Sequence, residues 1–566
     1  MRIERPRPAS WAVLLVVTLV FGAPLLLRDK LPNSVDLAFS SAMTQALVDG
    51  IRDQKPYPTW VDLMNLGYGA PAFSLYPPLS FYISGGLTVL TGEVVTGLRW
   101  SVLLSVFFSG LAFFVMARPM TSELGATVGA VLYIVLPFHY LEIYVRWAYA
   151  AAWSLVFLPL VFRFAWDVTR ADPRSRAGLL SAAGLAASFA ALCLTHLMTA
   201  YLVLLCLAPF VIVHLFWARQ EPVKNAMRLA IMAVAGLTAV LSCSFYLAPV
   251  LLERSTVNFD YYTATEYGTW TNGLLFQPSP NFFNWERPLT LVNASVASMA
   301  LLALVALILA FRFLNGDAKR QALLLGGLTA WTIFLQTPLS ILVWVTVPYI
   351  QTAQFPWRFG SQQIFFTALL VAVVTPALSK HRVALAGLMV ACVPALIVSA
   401  SFVDRKDYTI DEEIVRGLNA RTKIWSEFVP KAVDPEMVYR PEADIGQRFR
   451  LLGQGQGKIL AWTSHGRLLR LEGVENPTSM IVRTFAYPGW EARVDGAEVP
   501  IRPSGPLGLI QVPIPAGTEM LVLRYTETPA RRLGVSITKV MLALLAVTFL
   551  VAVLRSRRSS LGKAGT

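Results

Sequence analysis

The sequence predicts an α-helical polytopic membrane protein of about twelve spans that carries a β-sandwich-like domain on one face. Three observations carry that reading. The 566 residues are 55% hydrophobic and only 14% charged, and the mean hydropathy is +0.56, outside the soluble globular range. Basic residues recur at the ends of apolar runs, on alternate loops. After residue 401 the apolar period changes from long runs to a strand-like alternation.

The first run, 11–27, follows Arg2, Arg5 and Arg7. It lacks a small-residue cleavage site, with Pro24 and Leu25 to Leu27 where one would fall, so it reads as a retained first helix with a cytoplasmic N-terminus. Further apolar stretches fall at 97–117, 123–139, 149–166, 176–194, 197–217, 227–250, 292–313, 320–336, 362–378, 382–401 and 535–555. The basic connections are Arg118, Arg163 to Arg176, Arg219 to Arg228, Arg312 to Arg320, Lys380 to Arg382 and the tail Arg555 to Lys563. All fall inside if the number of spans is even and the piece 77–91 does not cross. Its Pro77-Pro78 start, Gly85-Gly86 pair and short length suit an interfacial or re-entrant helix. Arg28, Lys30, Arg531 and Arg532 lie on the outer side against the trend.

The chain then divides into a transmembrane unit, 1–401, with a first outer loop at 28–96; an extracytoplasmic β-rich region, 402–534; and a last span with a basic tail, 535–566. In the β-rich region Met480 to Phe485, Trp490 to Val494 and Met520 to Tyr525 alternate in strand fashion, with turns at Tyr487-Pro-Gly and Val494-Asp-Gly. The net charge, 48 − 34 = +14, follows from topology rather than from a nucleic-acid surface, because the cations are not gathered on one polar face. Cys193, Cys206, Cys243 and Cys392 all lie inside apolar runs and read as small core residues, without disulfide or zinc spacing.

Ionisable groups at a membrane edge are costly, so their placement is informative. Most map to the outer side: Asp36, which opens the amphipathic stretch 36–51; Glu142 and Arg146; His196 in a tight turn; Glu253 and Arg254; and Arg358. Such a set suits group transfer from an anionic lipid-linked donor. A carboxylate takes the proton of an acceptor hydroxyl, and arginines hold the phosphate through forked hydrogen bonds. Trp60, Tyr68, Tyr76 and Trp147 supply faces for sugar stacking or headgroup-level anchoring.

The first loop carries Asp36-Leu-Ala-Phe, Tyr57-Pro-Thr-Trp, Asn65-Leu-Gly-Tyr-Gly-Ala-Pro and Phe73-Ser-Leu-Tyr-Pro-Pro-Leu. Further on come Tyr144-Val-Arg-Trp-Ala-Tyr-Ala, Leu194-Thr-His-Leu, Gln354-Phe-Pro-Trp-Arg-Phe, Glu427-Phe-Val-Pro and Tyr487-Pro-Gly-Trp-Glu-Ala-Arg-Val-Asp-Gly. In this order and spacing the chain resembles the bacterial membrane proteins labelled "6-pyruvoyl-tetrahydropterin synthase-related", which look like members of the GT-C superfamily of polyprenyl-phosphate-sugar glycosyltransferases, together with the YfhO-like proteins. The label does not describe the chemistry, since five scattered histidines supply no compact zinc site. The resemblance implies an inverting transfer from a polyprenyl-phosphate sugar to a glycan, lipid or protein acceptor outside the cytoplasm of a bacterial inner membrane. Asp36 matches its base; by their own chemistry and placement Arg146, Arg358 and His196 read as donor-phosphate contacts and Trp60, Tyr68 and Tyr76 as sugar contacts. Two departures stand out: no second carboxylate adjoins Asp36, and Ala151 stands where an acid is expected after Arg146-Trp-Ala-Tyr-Ala. Glu142 or Asp62 is then the candidate second acid or ligand for a divalent cation.

Each residue also has a plainer reading. Asp36 suits a helix N-cap, Arg358 an interfacial anchor beside Trp357, and Arg146 a salt bridge to Glu142 four residues earlier. His196 suits a hydrogen-bonded turn, and Tyr68 and Tyr76, between Gly and Pro, a shaped loop. Gly67-Tyr-Gly lacks the strand-turn-helix setting of a nucleotide loop. A lipid-linked glycan flippase would show mid-membrane charges and repeats, whereas the sequence has few charges inside its spans and no repeat. A non-catalytic glycan-binding scaffold is the reading that Ala151 favours.

Overall fold

A computed structural model describes residues 7–218, 221–261, 269–276, 286–404, 407–415, 425–440 and 444–564. Arg219 and, in the 402–534 region, residues 405–406, 416–424 and 441–443 lie outside the described residues, as do the side chains of the tail Arg555 to Lys563.

The twelve apolar runs of the sequence all fall in helices. Among the described residues 10 helices are long and apolar enough to cross a membrane, and 11 if the pair Gly316–Phe334 and Pro338–Thr346, bent by 89°, forms one span. The C-terminal helix Pro529–Ala564 covers the last predicted run. Two runs are broken. The run 123–139 is interrupted at Leu136, between helices Glu123–Val135 and Pro137–Tyr140, and beyond the run 320–336 the chain turns at Pro338, which lacks the N–H to continue a helix. The run 227–250 stops at Cys243, between helices Pro222–Ser242 and Ser244–Glu253. The piece 77–91 forms the 13-residue helix Leu79–Thr91. At 1.5 Å per residue it is about 20 Å long, short of a hydrocarbon core of about 30 Å.

The helix Pro356–Leu378 lies at the centre of the bundle, 89% of its most apolar window buried. The first helix, α1 (Pro8–Leu26), packs at the periphery with only Ser10, Leu14, Thr18, Phe21, Gly22 and Leu25 buried. Three of the cysteines are buried and all four are free thiols.

Between the central spans and the last helix the chain forms two antiparallel sheets. One has the order Phe449–Leu451, Thr478–Phe485, Leu509–Ile514, Arg502–Ser504; the other has the order Gln456–Thr463, Gly466–Glu472, Met520–Tyr525, Trp490–Val494, Ala497–Val499. Burial alternates along Trp490–Val494 and Met520–Tyr525, so one face is apolar and inward. The hairpin Val494-Asp-Gly-Ala closes with Asp495 and Gly496 at φ of +46° and +86°, the pairing that a two-residue turn between twisted strands requires.

The loops that charge alternation assigns to one side meet at one end of the bundle, against these sheets. Leu31 pairs with Ile410, Val257 bridges to Pro430, and the Thr256 hydroxyl donates to the Tyr487 hydroxyl at 2.8 Å. Three cations against the charge trend have partners at that end. Lys30 pairs with Asp411 at 3.0 Å, the Arg28 guanidinium lies 4.0 Å from the Tyr408 ring centre, and that of Arg531 4.4 Å from the Tyr57 ring centre.

Candidate functional site

The site grows from a widened π-helical turn, Leu141–Arg146, which ends the span beginning at Glu123. Such turns bring residues i and i+4 nearly into line and recur at functional sites. Here the turn sets Arg146 Nη1 2.8 and 3.0 Å from the two Glu142 carboxylate oxygens. Trp147 then reverses the chain at φ +53°, held by hydrogen bonds from Ala148 N to Glu142 O and from Tyr149 N to Trp147 O, both 2.8 Å. The other side of Arg146 faces Asp36, with Nη2 and Oδ2 3.7 Å apart. The backbone joins the two segments as well, since Asp36 N donates to Arg146 O at 2.8 Å.

Asp36 occupies the N-cap position of helix α2 (Leu37–Arg52), yet its side chain makes no capping hydrogen bond. The plain N-cap reading therefore fails, and the carboxylate turns to the cation instead. Exposure separates the two acids: the Asp36 side chain is 39% exposed and that of Glu142 1%. The first is open to solvent; the second is a buried counter-ion of Arg146.

His196 N-caps the helix Leu197–Trp217 through its side chain. Its Nδ1 accepts from Thr199 N at 3.2 Å and lies 2.7 Å from Thr199 Oγ1. An accepting Nδ1 leaves the ring proton on Nε2. Burial, with the Arg358 and Arg146 cations nearby, pushes the imidazole down to about 3, so the ring is neutral. Arg358 comes from the turn that opens the central helix. Its Nε has no hydrogen-bond partner among the described residues, and its guanidinium lies 5.1 Å from the Phe355 ring centre. Glu142, Arg146, His196 and Arg358 line one narrow cleft with Ser154, Thr199 and Ser361. Ala151 lines the same cleft, so the departure noted in the sequence lies within it.

Tyr76 belongs to this neighbourhood. Burial, with the Asp36 carboxylate beside it, pushes its phenol above the usual range, and Arg358, Arg146 and Glu427 act on the same hydroxyl. The Tyr76 ring meets Phe39 of the first turn of α2 edge-on at 4.8 Å. Glu427 is the residue that sequence reasoning did not single out. It was visible only inside the motif Glu427-Phe-Val-Pro, with no charge pattern to mark it. Its loop is held over α2 by stacking of Phe428 on Phe39 at 6.0 Å, and its Oε2 is buried without a hydrogen-bond partner among the described residues. Burial pushes the Glu427 carboxyl up to about 7, and the Asp36 carboxylate pushes the same way.

Trp60, Tyr68 and Asp62 are placed elsewhere, in the contact between the first loop and the sheets. Trp60 is 0% exposed and packs among Tyr487, Trp490 and Tyr525 with ring centres 5.1 to 6.0 Å away. Tyr68 is 1% exposed and stacks on Phe485 at 5.2 Å. Asp62 is ion-paired with Arg467 and accepts from Trp462 Nε1 at 3.0 Å. These side chains bind the sheets rather than present a face to the cleft. Gly67 and Gly69 make the turn that allows this: both have positive φ, and a Cβ on Gly69 would lie 2.4 Å from Trp60 Nε1. The arrangement does not suit a divalent cation either. The Arg146 guanidinium fills the space between Asp36 and Glu142, Asp62 is engaged by Arg467, and no group of three His, Cys, Asp or Glu side chains among the described residues is placed to hold a metal.

Several solved structures resemble this one at low identity. Arabinofuranosyltransferase AftD from Mycobacteria aligns at 13% identity and a TM-score of 0.41, over 70% of this chain and 28% of its own. The oligosaccharyltransferase AglB of Archaeoglobus fulgidus, solved with an inhibitory peptide and a dolichol-phosphate, aligns at 11% identity and 0.42, over 74% of this chain and 60% of its own. ArnT from Cupriavidus metallidurans, bound to undecaprenyl phosphate, aligns at 13% and 0.34, over 65% and 78%. The chain thus spans little more than a quarter of the AftD length and under two thirds of AglB. No curated protein sequence matches it. The family described as "6-pyruvoyl-tetrahydropterin synthase related domain; membrane protein" matches residues 73–407, more than half of the chain, and the chain belongs to that family of membrane proteins.

Proposed function

We propose that this protein is a membrane glycosyltransferase that moves a sugar from a polyprenyl-phosphate donor to a glycan, lipid or protein acceptor. Its cleft would face outward from a bacterial inner membrane, with both termini cytoplasmic. The observation that carries the reading is the meeting of Asp36, Arg146, Arg358 and His196, from four separate segments, at the end of the bundle that holds the sheets.

In the reaction so framed, Asp36 takes the proton of the acceptor hydroxyl, and the freed oxygen pair attacks the anomeric carbon. The bond from that carbon to the phosphate oxygen breaks on the opposite face, which inverts the centre, and the polyprenyl phosphate leaves with the electron pair. Arg146 and Arg358 balance the charge that develops on the leaving phosphate, and the neutral His196 adds an Nε2–H donor. Glu142 keeps Arg146 in place as its buried counter-ion. Tyr76 closes the wall beside Asp36. The competing reading is a non-catalytic glycan-binding scaffold, favoured by Ala151 at the cleft wall.

The test is sugar release from a panel of polyprenyl-phosphate sugars in detergent, comparing the natural protein with Asp36→Asn and Arg358→Ala. Loss of the base lowers the rate about 10²- to 10⁴-fold, and loss of the phosphate cation about 10²- to 10³-fold. Full turnover by Asp36→Asn would remove the base assignment. Absence of turnover by well-folded natural protein with every donor would favour the non-catalytic reading.

A further inference from the structure

The first loop spends backbone strain at a place away from the cleft. Asn65, Leu66, Gly67 and Gly69 all have positive φ, of +52°, +58°, +84° and +85°. Glycine adopts this region freely and asparagine tolerates it, but for leucine it is unfavourable. A strained residue persists only where its surroundings hold it. Within the loop Gly67 N and Gly69 N both donate to Met64 O at 3.0 Å, and three further hydrogen bonds come from outside it. Arg483 Nη1 donates to Leu66 O at 2.8 Å, Phe485 N to Tyr68 O at 3.0 Å, and Trp425 N to Asn65 Oδ1 at 2.8 Å. Arg483 lies with its guanidinium 4.2 Å from the Tyr68 ring centre and is anchored by Asp444 at 3.0 and 3.1 Å.

This turn is tied to the cleft by a short chain of contacts. Trp425, fixed by Asn65, meets Phe39 edge-on at 5.9 Å, and Phe428 stacks on the same ring. Phe39 lies in the first turn of α2, three residues after Asp36. On the far side of the turn the chain runs through Ala72–Leu75 to Tyr76, beside Asp36.

We propose that the sheets hold the 59–70 turn as a latch that positions Asp36 and Glu427, with Arg483 as its principal positioning residue. The sheet region is then part of the working site and not an appended binding module. Arg483 touches neither Asp36 nor a cleft-lining group; it acts through Leu66, Asn65, Trp425 and Phe39.

The test uses the full chain in nanodiscs, with Arg483→Ala, Arg483→Lys and Asp444→Asn, read by hydrogen exchange and by donor turnover. Arg483→Ala is expected to speed exchange roughly 10- to 150-fold in 59–70 and also, in the same direction, in 34–40, and to lower kcat, as loss of one charged hydrogen bond would. KM for the lipid donor stays unchanged, because Arg146 and Arg358 are untouched. Arg483→Lys, which keeps a cation and a donor, recovers most of the loss. Asp444→Asn shows the same pattern at smaller amplitude and serves if Arg483→Ala does not fold. Faster exchange in 59–70 with natural exchange in 34–40 would overturn the latch, as would a raised KM at unchanged kcat. The kcat arm rests on the glycosyltransferase reading. The exchange arm does not, so it decides the latch even if no sugar is transferred.

Discussion

Substitution of His196 separates its structural role from the proposed chemical one, because the two ring nitrogens are differently placed. Nδ1 caps the helix Leu197–Trp217, while Nε2 is left with the proton in a ring lining the cleft with Arg358. Asparagine keeps the cap, as a preferred N-cap residue, but is too short to place a donor where Nε2 lies. Glutamine places an amide N–H near that position and loses the cap. Alanine loses both. A hydrogen bond to a charged phosphate contributes about 1.5 to 3 kcal/mol, so His196→Asn and His196→Ala should lower kcat/KM roughly 10- to 150-fold. His196→Gln should retain most of the rate while losing about 1 kcal/mol of stability with the cap. Donor turnover and thermal inactivation of each variant in the same detergent give the two numbers. The reasoning fails if His196→Asn turns over like the natural protein while His196→Gln does not, since the accepting nitrogen would then be the one in use. The neutral ring adds a pH signature. Its pKa falls from 6.5 to about 3 on folding, so its contribution to stability is complete above about 6.5 and is lost as the pH drops towards 3.

The remaining predictions probe its surroundings. Glu427 has the opposite sign: its carboxyl rises from 4.5 to about 7, so it favours the folded state below 4.5 and loses that contribution as the pH rises through 7. Glu427→Gln should therefore flatten the change in stability across that window, and an unchanged profile would refute the assignment. Glu142→Gln removes the counter-ion from the 14% exposed Arg146 and should cost about 3 kcal/mol, the low end for breaking a buried pair. Equal thermal inactivation of variant and natural protein would show that Asp36 alone holds the cation. Gly69→Ala forces a Cβ against the Trp60 indole at φ +85° and should cost roughly 2 to 5 kcal/mol. Gly496→Ala, at φ +86° with open space around it, should cost only about 1 kcal/mol, and proteolysis of the two variants compares them directly.

Hydropathy and loop charge by themselves determined the membrane class, the helical runs and the non-crossing length of Leu79–Thr91, because length and apolar content act residue by residue along the chain. Period-two alternation likewise marked Trp490–Val494 and Met520–Tyr525, and the Asp495-Gly496 turn needed nothing beyond its own φ preferences. The set Asp36, Arg146, Glu142, His196 and Arg358 was also legible, since ionisable groups at a membrane edge are rare enough to stand out, and Tyr76 stood out as an aromatic of the first loop. Tertiary structure alone decided how these groups are placed relative to one another. Asp36 and Glu142 are both acids of the same face in the sequence, and only burial makes one reachable and the other a counter-ion. Trp60, Tyr68 and Asp62 carry aromatic and acidic side chains in the same loop as Tyr76, but a turn of four positive-φ residues carries them into the sheets. Glu427 joins Asp36 from nearly 400 residues away, through the stacking of Phe428 on Phe39. Burial and long-range packing are properties of the folded chain, and no local pattern of residues encodes which acid will meet which cation.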